Sequence, residues 1–353
     1  MNRTAVVFSP IYYRHNPGGD HPESARRLGV IVNELKRGRL SKSRNWRFAD
    51  PEKARIRDVE LVHDRDYIKL VEAICKSGGG LLDSGDTVAS RESFEVALYA
   101  VGGALKAVNL VMGKKFRNAF ALVRPPGHHA ERFRAMGFCI FNNVAIAAKH
   151  LLKKFDLRRI LVLDVDAHHG NGTQETFYET SKVLYISLHQ DPRGFPGTGF
   201  IDEIGEGEGM GYKVNVPLPF GTGDQIYLKA FKEIVAPIVC QYKPQFMLVS
   251  AGLDGHYADP VASLSLSLLS YQKIYETVVS LSSKMCEGKL VSVLEGGYGR
   301  FVGKIAAAAI AEMSGTKYNV SDKSSTTNER VRKQGEKVIK EVGEAQRSFW
   351  RLG

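Results

Sequence analysis

The chain has 353 residues, of which 43% are hydrophobic and 25% are charged, and its formal net charge is +11. This composition is typical of a soluble globular protein and excludes a disordered tail, a collagen-like repeat and a small disulfide-rich scaffold. A chain of this length can bury a large core without cross-links. The excess of lysine and arginine leaves nucleic acid and other anionic surfaces open as partners.

The cysteines and the first residues of the chain indicate a compartment. Cys75, Cys139, Cys240 and Cys286 are far apart and form no C-x-x-C pair, which predicts buried, reduced thiols and excludes a zinc ribbon. The short apolar run Ala5–Phe8 predicts a first strand and is too short for a signal peptide. We find no apolar stretch that approaches the roughly 20 residues of a membrane span. We therefore expect a cytoplasmic protein with no membrane partner.

Short, continuous apolar runs recur along the chain and end in polar or glycine-rich loops. Such runs are typical of strands that are covered on both faces of a parallel sheet. The predicted strands are Ala119–Val123, Ile160–Leu163, Val183–Ser187, Phe246–Ser250 and Leu290–Leu294, and the predicted helices are Phe94–Val111, Val144–Phe155, Ile226–Gln241 and Tyr271–Met285. Their alternation predicts an α/β fold with a central, mostly parallel sheet and helices on both faces.

The composition changes after Gly315, which suggests where the main domain ends. Residues 1–315 contain no linker and no internal repeat, so we predict a single domain there. Ser321–Asn328 is polar, and Glu329–Trp350 mixes both charge signs with apolar residues at helical spacing. We predict that residues 316–353 form a polar segment and a charged helix, packed on the domain or extending from it. The basic stretch Lys36–Arg57 is interpreted as a solvated face.

Polar clusters follow several predicted strands, at the edge where open α/β sheets form their ligand sites. The first cluster, RPPGHH at residues 124–129, presents the adjacent imidazoles of His128 and His129 on a rigid loop. Adjacent histidines at a strand end are typical of an acid/base pair or of metal ligands.

The second cluster, DVDAHHGNG at residues 164–172, is the most informative one. Alternate residues of a strand face the same side, so we expect Asp164, Asp166 and His168 to converge. Two buried carboxylates repel each other unless a cation compensates, and an Asp-x-His pair supplies ligands that suit Zn²⁺. Asp254, after another strand, completes a set of three ligands with an open position, as in catalytic zinc sites. The alternative is a hydrogen-bonded polar turn.

Aromatic residues on glycine-flanked loops form a third group. In LEGGYG, residues 294–299, glycines allow the Tyr298 hydroxyl to reach a site and donate to an oxyanion, although the motif alone also fits a simple turn. Phe138 and Phe195 either pack in the core or line a narrow apolar slot for an extended aliphatic chain.

The motifs RPPGHHA, GFCIFNN, DVDAHHGNGTQ, ISLH, GFPGTG, VNVPL, SAGLD and LEGGY occur in this order between about Phe8 and Ser314. In this order they resemble those of the zinc-dependent histone deacetylase and acetylpolyamine amidohydrolase superfamily, which shares the arginase-like α/β fold. DVDAHHGNGTQ and LEGGY are most similar to the class II branch and its bacterial and archaeal relatives.

The resemblance implies a role for many residues of this chain. It implies one zinc ion per chain held by Asp166, His168 and Asp254. It implies catalytic residues His128, His129 and Tyr298, with Asp164 holding His128 and Asn171 holding His129. Because asparagine replaces the aspartate that is usual in class I enzymes, His129 should be less basic here. It implies substrate-binding residues Gly137, Phe138, Phe195, Val261, Asp86, Gly296 and Gly297. It implies potassium at Asp164, Asp166, His168, Ser187 and Leu188, and a second potassium at Phe177, Thr180, Val183 and Tyr212.

The implied reaction is metal-assisted hydrolysis that removes acetyl or other acyl groups from lysine side chains of proteins or peptides. An acetylated polyamine is the alternative substrate, but Val261 follows Asp259-Pro260 where polyamine-selective relatives often carry glutamate. An arginase-like ureohydrolase and a catalytically silent acyl-lysine binding module are further alternatives. We interpret His21 and His63 as structural and His256 as an exposed loop histidine.

Overall fold

A computed structural model describes residues 3–352, and a parallel sheet forms its centre. Within these residues the strands are β1 (Thr4–Val7), β2 (Trp46–Ala49), β3 (Gly79–Leu81), β4 (Val88–Ser90), β5 (Asn118–Ala121), β6 (Ile160–Asp164), β7 (Val183–Gln190), β8 (Lys213–Leu218), β9 (Phe246–Ala251) and β10 (Leu290–Leu294). Eight of these described strands pair in parallel, in the order β2-β1-β5-β10-β9-β6-β7-β8, and β3 and β4 form a separate antiparallel pair.

Helices flank this sheet and complete the α/β architecture. Across residues 3–352 they are α1 (Arg26–Leu35), α2 (Gly38–Ser41), α3 (Ile56–Val59), α4 (Arg65–Lys76), α5 (Ser93–Met112), α6 (Asn143–Phe155), α7 (Asn171–Thr176), α8 (Asp224–Ala230), α9 (Ala236–Tyr242), α10 (Leu268–Cys286), α11 (Val302–Ser314) and α12 (Glu329–Gln346). A π-helical turn, Phe231–Val235, joins α8 to α9, so the predicted helix Ile226–Gln241 is one continuous helical segment. The predicted α/β fold is confirmed.

The continuous apolar runs identify the central strands because both faces of these strands are covered. Every residue of β5, β6, β7, β9 and β10 is buried. The predicted bounds differ from the observed ones by a few residues: β7 continues to Gln190, and β5 ends at Ala121 although Leu122 and Val123 stay buried. Side-chain caps start two of the flanking helices, since Asn142 accepts from the N–H of Ala145 and Ser267 accepts from that of Ser270.

Helix α5 corrects one expectation from the sequence. It is long and apolar enough, by length and composition, to cross a membrane, so the statement that no apolar stretch approaches this size is wrong. In the fold, 67% of its most apolar window is buried, and the helix packs against α6, β1 and β5. Its apolar character on all sides is accounted for by this position in the core.

The segment that follows α11 packs on the domain. Helix α12 lies against β8, where the Gln346 side chain donates to the Lys213 carbonyl at 2.9 Å. Before it, the Asp322 carboxylate accepts from the Tyr257 hydroxyl at 3.0 Å and lies 3.2 Å from Nε2 of His256. Because Asp322 covers it, His256 is only 2% exposed, and its interpretation as an exposed loop histidine is wrong.

Candidate active site

A cavity of about 180 Å³ lies beyond the carboxyl ends of β6, β9 and β10 and is lined by ten of the fifteen residues predicted for catalysis, zinc and substrate. Loops that follow parallel strands meet at this edge of the sheet, as expected for an α/β fold. The cavity is lined by Asp86, Pro126, His128, His129, Gly137, Phe138, Asp166, His168, Phe195, Val261 and Tyr298.

Three buried side chains at its base form a candidate metal site. The ligand atoms of Asp166, His168 and Asp254 all lie within 4.8 Å of one another. Nδ1 of His168 is 3.0 Å from Oδ2 of Asp254 and 3.3 Å from Oδ1 of Asp166. Two carboxylate oxygens and one imidazole nitrogen are a donor set that suits zinc, and the cavity leaves one side of this set open. The residues present therefore fit the ion that the sequence predicts.

Backbone N–H groups hold the two carboxylates in place. Gly296 donates to Oδ2 of Asp166 at 2.8 Å, and Ala167 donates to Oδ1 of Asp254 at 2.9 Å. A Cβ atom at Gly296 would lie 2.6 Å from Oδ2 of Asp166, so only glycine allows this approach. Gly296 and Gly297 were expected to bind substrate, but they lie behind the candidate metal site and do not line the cavity.

The two adjacent histidines have different partners. Nδ1 of His128 lies 3.1 Å from Oδ2 of Asp164, and Nδ1 of His129 lies 2.8 Å from Oδ1 of Asn171. Asp164 thus faces His128 and accepts from the Asp166 N–H at 3.2 Å, but it is not part of the ligand group. Strand periodicity had grouped Asp164 with Asp166 and His168 on the condition that the extended geometry persists. The reason is that β6 ends at Asp164, so the extended geometry does not continue through the ligands.

Burial and neighbouring charges shift the pKa values of His128 and His129 in opposite directions. Burial disfavours the charged form of His128, but the carboxylates of Asp164 and Asp166 outweigh it and raise the pKa to about 10. Burial and the neighbouring His128 lower the pKa of His129 well below its usual value. A neutral His129 can accept a proton at neutral pH, whereas His128 supplies positive charge beside it.

Tyr298 is held at the cavity by its backbone and by a cation. The Asp259 carboxylate accepts from the N–H groups of Tyr298 and Gly299, each at 2.7 Å. The Arg27 guanidinium lies 4.5 Å from the centre of the Tyr298 ring. Burial raises the pKa of the phenol well above its usual value, although Arg27 opposes the shift. The hydroxyl therefore stays protonated and can donate to an oxyanion.

Two aromatic rings narrow the cavity, as one of the two readings of Phe138 and Phe195 predicts. The Phe195 ring lies 4.9 Å from His129 and the Phe138 ring 5.6 Å from Tyr298, both edge to face. Gly137 and Phe138 both have positive φ, 53° and 67°, and a Cβ at Gly137 would lie 2.5 Å from Cδ2 of His129. The glycine thus permits the loop to close over the imidazole.

Several residues that support the site were not singled out from the sequence. The Glu295 carboxylate accepts from the N–H groups of Gly127 at 2.7 Å and His128 at 3.1 Å, and so it anchors the histidine loop. Asp259 anchors the tyrosine loop in the same way. The sequence does contain one signal for these residues. A carboxylate that stands among apolar and glycine residues is expected to be buried, and a buried carboxylate must accept hydrogen bonds from nearby donors.

A second group of buried charges lies beside Tyr298. The Glu23 carboxylate accepts from Nε of Arg124 at 2.7 Å and from Nη1 of Arg27 at 3.0 Å, and His15 lies 3.3 Å away. Glu23 and Arg124 are fully buried. Burial alone would raise the pKa of Glu23, but Arg124, the hydrogen-bonding His15 and Arg27 outweigh it and hold the pKa far below its usual value.

The two predicted potassium sites have different outcomes in the structure. At the first, Asp164 and Ser187 are register partners on β6 and β7, next to Leu188, and potassium there stays a prediction. At the second, the Lys213 ammonium donates to the carbonyls of Thr180 at 3.1 Å, Val183 at 3.2 Å and Tyr212 at 3.2 Å. The Phe177 carbonyl accepts from the N–H of Thr180. These carbonyls do not fit a potassium ion, because a side chain of the protein already fills their centre. Burial lowers the pKa of this ammonium to about 7.

Known proteins share this arrangement of motifs. The histone deacetylase domain family matches residues 21–314 of the chain. The chain belongs to this family. A probable deacetylase of Archaeoglobus fulgidus is 45% identical over 84% of this chain and 81% of its own length.

Histone deacetylases and similar amidohydrolases occur among other relatives. A histone deacetylase-like amidohydrolase of Pseudomonas aeruginosa is 36% identical over 86% of this chain and 78% of its own length. The solved HDA15 HD domain superposes with a TM-score of 0.87 at 33% identity, covering 99% of this chain and 95% of that structure. The histone deacetylase family is zinc-dependent in general, and this member carries a buried Asp-His-Asp group that could hold a metal ion. The family resemblance of the sequence is thereby confirmed, and the deacetylase and amidohydrolase relatives support hydrolase activity.

Proposed function

We propose that this protein is a zinc-dependent deacylase that hydrolyses the amide of acyl-lysine side chains in proteins or peptides. One observation carries the proposal: the open Asp166-His168-Asp254 group, a neutral His129 and the Tyr298 hydroxyl converge on one narrow cavity. These are the parts that metal-assisted amide hydrolysis requires. A catalytically silent binding module would not need all of them.

Each residue has a distinct task in this mechanism. A zinc ion held by the three ligands would supply Lewis acidity toward the acyl carbonyl. Nε2 of His129 removes a proton from the attacking water and returns it to the leaving amine. The positively charged His128 stabilises negative charge that develops beside it, and the Tyr298 hydroxyl donates to the oxyanion of the tetrahedral intermediate.

The shape of the cavity favours a lysine side chain. Phe138 and Phe195 present aromatic walls to an aliphatic chain, and Val261 offers no charge to a secondary ammonium at the rim. Asp86 also lines the cavity and is the one feature that suits an acetylated polyamine, the second candidate substrate. The net charge of +11 disfavours approach of a polycation.

Turnover of a matched substrate panel tests this function. Acetyl-lysine peptides, longer acyl-lysine peptides, acetylputrescine and acetylspermidine are compared with the same zinc-loaded protein, with and without a chelator. We expect chelator-sensitive hydrolysis of the peptides. A large preference for the polyamines would overturn the choice of substrate, and two bound metal ions per chain with arginine hydrolysis would favour the ureohydrolase alternative.

The Tyr298→Phe variant tests the mechanism itself. We expect it to retain zinc and substrate binding but to lose about 100- to 1,000-fold in kcat, because one oxyanion donor is removed. Wild-type kcat in this variant would refute the role of the hydroxyl. Tyr257→Phe, at a half-exposed tyrosine outside the cavity, is the matched control and is expected to keep full activity.

A further inference from the structure

The side-chain amide of Asn171 bridges His129 and an acidic residue outside the cavity. Its Oδ1 lies 2.8 Å from Nδ1 of His129, and its Nδ2 donates to Oε1 of Glu131 at 2.6 Å. Nδ2 also lies 3.3 Å from the His129 carbonyl. Glu131 is not among the cavity-lining residues, so it does not contact a substrate there.

Glu131 fixes the orientation of the Asn171 side-chain amide. An asparagine side chain has nearly the same shape in its two flipped orientations, but only one end of it donates. An ionised carboxylate accepts only, so Glu131 must face Nδ2. The oxygen Oδ1 is then directed at His129 and accepts from Nδ1–H. A neutral imidazole with its proton on Nδ1 has a free lone pair on Nε2, the atom that a general base needs.

Other contacts hold the Glu131 carboxylate in position. Arg134 donates to the Glu131 carboxylate through Nε at 2.6 Å and through Nη2 at 2.9 Å. The Glu131 side chain is 18% exposed. The Glu131 carbonyl lies 2.9 Å from Nδ1 of His63, whose Nε2 accepts from the N–H of Asn142. His63 thus buttresses this loop, in agreement with its structural interpretation from the sequence. The position of the carboxylate is fixed from outside the cavity.

We propose that Glu131 is a positioning residue that acts through Asn171 to fix the Nδ1–H tautomer of His129 and so keep Nε2 available as the base. The inference rests on the proposed deacylase function. It explains how a neutral asparagine orients the catalytic imidazole here, in the position where class I members usually have an aspartate. Here the acceptor-only carboxylate of Glu131 contacts the asparagine, and the asparagine in turn contacts the imidazole.

Two variants separate this role from a structural one. Glu131→Leu removes the shorter of the two acceptors of Nδ2 and leaves only the His129 carbonyl at 3.3 Å, so the flipped orientation of the Asn171 amide becomes accessible and the fraction of His129 with a free Nε2 falls. We expect kcat to fall about 10- to 100-fold, by analogy with the outer partners that orient metal-bound histidines, with KM and zinc content unchanged. Glu131→Gln retains one oxygen that can accept from Nδ2 but also gains a donating end, so we expect a smaller loss than in Glu131→Leu. Glu175→Gln, whose carboxylate accepts from the Arg132 N–H and forms no hydrogen bond with the Asn171 side chain, serves as the control.

The tautomer itself can be read from imidazole ¹⁵N chemical shifts of the histidine-labelled, zinc-loaded protein. We expect His129 to carry its proton on Nδ1 in the wild type and in Glu175→Gln, and to lose this single state most clearly in Glu131→Leu. A single Nδ1–H tautomer in Glu131→Leu would overturn the proposal, as would a loss of activity explained by lost zinc or by KM alone. The ¹⁵N spectra do not depend on turnover, so they test the role of Glu131 by themselves. A wild type that hydrolyses no acyl substrate would refute the deacylase function separately.

Discussion

Two buried acidic clusters of this protein are neutralised in opposite ways. Glu23 is enclosed by the guanidinium groups of Arg124 and Arg27, so its charge is balanced by the protein itself. Asp166 and Asp254 share one imidazole, and across residues 3–352 neither forms an ion pair with lysine or arginine. Burying two carboxylates without a cation is costly, because repulsion and desolvation act in the same direction.

The difference shows how to distinguish a structural acidic cluster from a metal site. The Glu23 cluster is closed, since its donors come from the same fold and its side chains are all buried. The Asp166–Asp254 cluster borders a cavity and is faced by the imidazoles of His168 and His128, with no lysine or arginine paired to it among residues 3–352. Arg27 links the two regions, because it pairs with Glu23 and also lies over the Tyr298 ring. The closed cluster therefore supports the wall of the open one.

The largest expected effect comes from the open cluster. Asp254→Asn removes one of two like charges and one metal ligand, so we expect no retained zinc and no measurable turnover. Without metal, the variant should be at least as stable as the metal-free wild type. Zinc at about 1,000 times its Kd should stabilise only the wild type, by about 4 kcal/mol. Metal analysis and thermal unfolding with and without zinc measure these effects; an equal zinc response in both proteins would contradict the assignment.

The closed cluster should respond in the opposite sense. Arg124→Met leaves the buried Glu23 without its main partner, and we expect a loss of about 3–5 kcal/mol of unfolding free energy. The double variant Glu23→Leu, Arg124→Met removes both charges and should recover much of this loss. Urea unfolding of the wild type, both single variants and the double variant gives the coupling energy. If the loss in the double variant equalled the sum of the two single losses, Glu23 and Arg124 would not be coupled, and the Glu23 cluster would not be neutralised by the protein itself.

The smallest expected effect concerns Lys213, a cation built into the chain. Lys213→Met leaves the carbonyls of Thr180, Val183 and Tyr212 without their donor, and we expect a loss of about 1–3 kcal/mol. Potassium can then enter in place of the ammonium. Unfolding temperatures in potassium chloride and in choline chloride should differ more for the variant than for the wild type. An equal potassium response in both would show that Lys213 does not replace a cation.

The sequence predicts the strands and the ligand group because both depend on local and repeating features. Continuous apolar runs indicate covered strands, and parallel strands bring their carboxyl ends together, so Asp166, His168 and Asp254 can be placed without coordinates. The resemblance placed Asp164 beside His128, as the structure has it, whereas strand periodicity alone grouped it with the ligands because the end of β6 cannot be read from the pattern of side chains. A shift of one residue in the extended segment changes which group a side chain faces.

The supporting residues depend on contacts between distant parts of the chain. Glu295 accepts from Gly127, 168 residues away, and His256 is covered by Asp322, 66 residues away. Which backbone N–H groups lack a partner, and which loop covers a histidine, follows only from the packed fold. The same holds for Lys213, whose ammonium reaches carbonyls of three separate residues. Periodicity and spacing contain no information about these pairings.

The strand order has a consequence for how the protein folds. Strands β9 and β10 are the last of the sheet along the described chain, yet they lie in its middle, between β5 and β6. The sheet is continuous only when β9 and β10 lie between the strands β1, β2 and β5 on one side and β6, β7 and β8 on the other. Asp254 follows β9, whereas Asp166 and His168 follow β6. The three ligands come together only when β6 and β9 are paired, so zinc held by all three would stabilise the joined sheet.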